Sequence, residues 1–152
     1  DHEFGSNQLT SDQAGWDWYS IQLDDNRELM FYLMRRGDGS FEKESSGTIV
    51  NADGSFRHLT LADFSAKPTG SWVSAKTKGK YPMGWKLSVP SAAVDIELTP
   101  TMVDQELVTG RSTAVTYWEG SVSVKGTSNG KGVTGQGYVE MTGYAEKFKQ
   151  KL

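Results

Sequence analysis

Aromatic-rich runs that alternate every second residue, each closed by an Asp, Asn or Gly turn, recur along this chain and constrain its fold most. Residues 15–23 (GWDWYSIQL) and 28–36 (ELMFYLMRR) flank Asp24-Asp25-Asn26-Arg27, which reads as a β-hairpin. Residues 47–50 and 55–61 flank Asn51-Ala52-Asp53-Gly54, a second hairpin with Asp-Gly in its turn. Further strands are expected over 72–76, 85–89 and 93–98, with Pro82, Pro90 and Pro100 in turns or at sheet edges. The clearest pair is 114–125 (AVTYWEGSVSVK) and 133–143 (VTGQGYVEMTG), joined by a Gly/Ser/Asn loop. About 8–10 strands at this spacing predict an all-β, antiparallel barrel or strongly curved sandwich. The end of the chain, AEKFKQKL, carries too little apolar pattern for more than a short helix or tail. The division that follows is a segment over 1–14, a barrel over 15–145 and a tail over 146–152.

The first hairpin is apolar on both faces. Trp16 and Trp18 alternate with Tyr19, Ile21 and Leu23, and Met30, Tyr32 and Met34 oppose Leu29, Phe31 and Leu33. A half-solvated hairpin shows one polar face, so either the outer face is covered by another domain, a subunit or a lost segment, or the core is wide and leaves a few apolar residues exposed. Part of Trp16, Trp18, Phe31 and Leu33 is expected on that face.

Charge and residue inventory exclude several function classes. With 16 basic against 19 acidic residues the chain has no cationic excess for phosphate backbones, so no nucleic acid is expected. Cysteine is absent, and the histidines are only His2 and His58. Thiolate zinc, a cysteine nucleophile and a three-histidine site are therefore ruled out; neither metal nor cofactor is expected. No run of 18 apolar residues exists to cross a membrane as a helix.

Chemistry then falls to carboxylates beside aromatics. Tyr117 shares a strand face with Glu119, and Tyr138 with Glu140. Facing a barrel interior, the two glutamates would be desolvated, with raised pKa values, and could act as acids. In the other reading they face water, and Trp118, Val122 and Val124 form the core. Asp1-His2-Glu3 is the densest titratable cluster, and by composition alone it is an inert end.

The order of motifs carries a resemblance. Asp1-His2-Glu3-Phe4, Asp12-Gln13-Ala14-Gly15-Trp16-Asp17-Trp18, Tyr117-Trp118-Glu119-Gly120 and Gly137-Tyr138-Val139-Glu140-Met141-Thr142-Gly143-Tyr144 stand in sequence. Shorter matches are Ser46-Gly47-Thr48, Tyr81-Pro82 with Trp85, and Asp104-Gln105-Glu106. Together they resemble the second half of the AttH-like proteins, a lipocalin-like superfamily that includes carotenoid 1,2-hydratases and proteins described as secreted hydrolases.

The resemblance implies a lipocalin-like β-barrel that forms the C-terminal half of a two-domain protein, with a cavity near the junction. It implies binding of an apolar or amphipathic small molecule. The alternative is part of a hydratase, cyclase or isomerase that acts on isoprenoid or polyene-like substrates by acid catalysis, in the two-domain protein. The acid would be Asp1, oriented by His2 and Glu3. Trp16, Trp18, Tyr32, Tyr117, Glu119 and Glu140 would line the cavity. The implied partners are the small molecule, the missing N-terminal lipocalin-like domain and a homodimer. The implied location is periplasmic, secreted or lipoprotein, as in bacterial proteins.

Overall fold

The computed structural model describes residues 10, 12–110 and 115–145. Ten strands form one antiparallel sheet: β1 (Gln13–Leu23), β2 (Glu28–Arg36), β3 (Ser46–Val50), β4 (Phe56–Thr60), β5 (Ser65–Val73), β6 (Lys80–Val89), β7 (Val94–Pro100), β8 (Glu106–Val108), β9 (Thr116–Ser128) and β10 (Lys131–Thr142). Their order is β4-β3-β2-β1-β10-β9-β7-β6-β5, with β8 added to β9. Among the described residues β4 and β5 do not pair, so the barrel is curled but open along that seam. Its curvature shows in contacts between strands that are not ladder neighbours. Tyr19 of β1 meets Trp85 of β6 edge to face at 5.9 Å between ring centroids.

The inner face is the core. It takes Tyr19, Ile21 and Leu23 from β1, Leu29, Phe31 and Leu33 from β2, and Trp118, Val122 and Val124 from β9. Tyr81, Trp85 and Leu87 of β6 pack against them with Val139 and Met141 of β10. Strand alternation thus sends Trp16 and Trp18 to the opposite face. Phe31 and Leu33 do not share it, contrary to expectation. They are 0% and 2% exposed, because β2 buries the residues that pair with Tyr19 and Asp17.

Boundaries differ from the sequence reading where local pattern is weak. β1 begins at Gln13, and the expected strand over 72–76 is instead β5, which ends at Val73. β5 holds Lys67, Pro68 and Gly70 and is exposed along most of its length, so alternation does not mark it. Pro68 is tolerated because β5 is an edge strand. Pro82 lies inside β6 rather than in a turn. The β6–β7 ladder spans only Trp85–Val89, so at Pro82 one side of the strand has no ladder partner. Pro90 opens a short 3-10 turn, where a missing N–H costs nothing. The expected tail over 146–152 lies outside the described residues.

Buried polar groups pin the two ends of the barrel. Asp17 accepts hydrogen bonds from Arg35 Nε at 3.0 Å and from the Tyr144 hydroxyl at 3.0 Å. The Arg35 guanidinium also stacks 3.8 Å from the Tyr144 ring centroid and donates to the Thr142 carbonyl. At the other end Arg27 joins Asp25, Ser128 and the Ala92 carbonyl. That cluster ties the β1–β2 turn to the segment between β6 and β7.

Candidate functional site

The β1–β10 register builds the site. Gly15 lies so close to the Thr142 backbone that a Cβ would clash with its carbonyl, and Trp16 N–H donates to Thr142 Oγ1 at 3.0 Å. This contact locks residues 126 apart in sequence and sets every later pairing. Trp18 then stands opposite Tyr32 on one side and Glu140 on the other, and Glu140 stands opposite Glu119. The result is a row, Tyr32–Trp18–Glu140–Glu119, across four strands on the outward face. Met34, Trp16 and Tyr117 flank this row on one side, and Met30, Ser20 and Tyr138 flank it on the other.

The six residues expected to line a cavity therefore converge, but on the face opposite the core. Trp16, Trp18, Tyr32, Tyr117, Glu119 and Glu140 are all partly buried, neither sealed inside nor fully in water. The barrel interior is filled instead by Trp118, Val122 and Val124 with their partners, which is the second of the two readings of the glutamate strands. Asp1, His2 and Glu3 lie outside the described residues. The methionines Met30 and Met34 belong to the same face and went unassigned in the sequence reading, although they alternate in phase with Tyr32.

Electrostatics on this face centre on Glu140. Its Oε1 accepts the Trp16 indole N–H at 2.7 Å. Burial raises its carboxyl above the ordinary glutamate range, and repulsion from Glu119 adds to this, against the Trp16 hydrogen bond. Tyr138 is also raised, first by burial and then by the Glu119 carboxylate. Trp16 and Tyr117 meet edge to face with centroids 6.5 Å apart.

Two hollows flank the sheet. One of about 520 Å³ continues the aromatic face past Tyr32 and Met34 to Arg36, Glu42 and Asp12. Its size suits a small ligand. A larger groove of about 770 Å³ lies along β5, β6, β7, β9 and β10, rimmed by Lys67, Lys86 and Lys125. It includes none of the row residues, whereas the smaller hollow is lined by Tyr32 and Met34, so the smaller hollow is the better match to the site. Among the described residues no three His, Asp or Glu side chains come together to hold a metal ion.

The motifs that fix this geometry are those of the resemblance noted above, and a family comparison decides the matter. The AttH-like profile matches residues 1–144. The chain belongs to the AttH-like family. An AttH protein from Nitrosomonas europaea has a crystal structure that superposes with a TM-score of 0.78 at 36% identity, over 90% of this chain and 41% of that one. Kievitone hydratase of Fusarium solani subsp. phaseoli is 26% identical over 141 residues, 93% of this chain and 39% of that protein. The crystal structure of kievitone hydratase from Nectria haematococca shares the fold, with a TM-score of 0.69 at 24% identity, over 88% of this chain and 40% of that one. This AttH-like chain thus spans about two fifths of the length of these relatives.

Proposed function

We propose that this AttH-like chain holds an apolar or amphipathic small molecule against its outward aromatic face, as the C-terminal half of a two-domain protein. The observation that carries the reading is the in-register row Tyr32–Trp18–Glu140–Glu119. An antiparallel sheet packed on one side ordinarily turns polar residues outward. Here the outward face carries two tryptophans, two methionines and three tyrosines around a pair of carboxylates, and a hollow of about 520 Å³ opens beside it. The apolar part of a ligand would lie on the rings and its polar group would meet the glutamates. The other half of the protein would close over it, in keeping with the greater length of the relatives.

The match to kievitone hydratase favours a second reading on the same face: acid-catalysed hydration, cyclisation or isomerisation of an isoprenoid or polyene-like substrate. Binding is the common requirement. Citronellol, an amphipathic isoprenoid alcohol, is titrated against tryptophan fluorescence in the wild type and in Trp18→Ala. Loss of about 60 Å² of ring contact, worth about 1.5 kcal/mol, weakens binding about tenfold. Unchanged affinity in Trp18→Ala would remove this face from ligand binding.

A further inference from the structure

We propose that Glu140, paired across the β9–β10 ladder with Glu119, is the proton donor of the acid chemistry on this face. The proposal rests on the second reading above and adds a residue to it that the Asp-His-Glu motif does not contain. Three geometric facts carry it. Glu119 and Glu140 are directly opposed cross-strand partners, so their carboxylates share one small region of the surface. Glu140 is partly buried among Trp16, Trp18 and Tyr138 rather than extended into water. Its Oε1 is committed as acceptor to the Trp16 indole N–H at 2.7 Å, which leaves Oε2 to carry an acid proton.

The Glu119 carboxylate opposes a second negative charge on Glu140 and so favours its protonated form. Burial works in the same direction at Glu140. Among the described residues the charged group acting on Glu140 is Glu119, and no lysine, arginine or histidine offsets it.

The chemistry balances with water as the co-reactant. The Oε2 proton passes to the less substituted carbon of an alkene, whose π pair forms the new C–H bond. A tertiary carbocation remains, stabilised by the tryptophan faces and by the now fully ionised pair. Water adds through a new C–O bond, its surplus proton goes to Glu119, and transfer from Glu119 to Glu140 restores the starting state. Alkene and water become a tertiary alcohol.

The test separates the pair from the binding reading. Carbon-13 labelled glutamates are titrated by NMR in the wild type, in Glu119→Gln and in Glu140→Gln. Glu140 is expected to titrate above the ordinary glutamate range, and Glu119→Gln should move it back toward that range. Titration of Glu140 within the ordinary glutamate range in the wild type overturns the proposal. The second arm uses citronellyltrimethylammonium, whose permanent positive charge replaces the alcohol that would meet the glutamates, with citronellol as its neutral counterpart. At the pH where Glu140 is half-titrated, ammonium binding should release about half a proton per molecule bound. Citronellol should release none, and Glu140→Gln should abolish the release. Ammonium binding without release overturns the acid role and leaves ligand binding standing. Failure of both molecules to bind overturns the binding reading itself. Unchanged Trp85 and Trp118 signals show that each variant is folded.

Discussion

Arg35→Met tests the polar pin at the end of the barrel. The salt bridge to Asp17 is nearly sealed, with the Arg35 side chain 14% exposed and that of Asp17 7%. Removing one member of a buried pair costs about 3–5 kcal/mol, because the other charge is left without its counter-ion. Residual water access lowers this to about 2–4 kcal/mol. Methionine keeps the apolar stem, so the loss reports charge and hydrogen bonds rather than packing. With a urea dependence of about 2 kcal/mol per molar, the unfolding midpoint should drop by about 1–2 M near neutral pH.

The pH dependence has a definite sign. Burial already raises the Asp17 carboxyl above its ordinary value, against Arg35 and the Tyr144 hydrogen bond. Without Arg35 the folded-state value rises further. Between the unfolded and folded values the native state binds more protons, so stability falls as pH climbs through that window. The deficit of Arg35→Met is therefore full above the window and shrinks in acid, where Asp17 is neutral. Adding Asp17→Leu should recover part of it. Urea unfolding followed by tryptophan fluorescence measures all three chains. A midpoint drop below about 0.3 M, or one that is equal in acid and at neutral pH, would refute the reasoning.

Gly143 has φ of 75°, and a Cβ there would overlap the Ala14 carbonyl oxygen. Gly143→Ala should cost about 3 kcal/mol and lower the calorimetric melting temperature by about 6–12 °C. Glu106 lies buried beneath hydroxyls of Ser74, Thr77 and Tyr81 at 2.6, 2.5 and 2.9 Å. Burial pushes its carboxyl up, but these donors outweigh it and hold the value below the ordinary range. Glu106→Gln should cost about 1–2 kcal/mol at neutral pH, with the gap to wild type closing as pH falls through the folded-state value; denaturation at several pH values reads this directly.

The fold was legible because its hairpins are local. The runs 15–23 and 28–36 surround their own turn, and β2 occupies the expected residues. β5 was mostly missed because its exposed edge carries no alternating pattern, and β8 because three residues are too few to show one. Alternation within β9 set Trp118 apart from Glu119, but which of the two faced inward depended on partners elsewhere. The site was legible as residue types and not as a surface. Trp18 and Glu140 become neighbours only through a register fixed by Gly15 and Thr142, and no local pattern reports a contact of that sequence separation. Glu106 was legible only as part of the Asp104-Gln105-Glu106 match and not as a buried acceptor, since Ser74 and Thr77 lie in the β5–β6 turn and Tyr81 in β6, and no local pattern joins them to it.

The central claim is that ligand binding uses the outward face and not the barrel interior. Nitrogen-15 labelled chain carries five indole N–H reporters, on Trp16, Trp18, Trp72, Trp85 and Trp118. Citronellol is added stepwise, and their NMR signals are followed. The expected result is movement of Trp16, whose N–H bonds Glu140, and of Trp18, while the core residues Trp85 and Trp118 stay fixed. Movement of Trp85 and Trp118 with Trp16 and Trp18 unchanged would place the ligand inside the barrel and contradict the account.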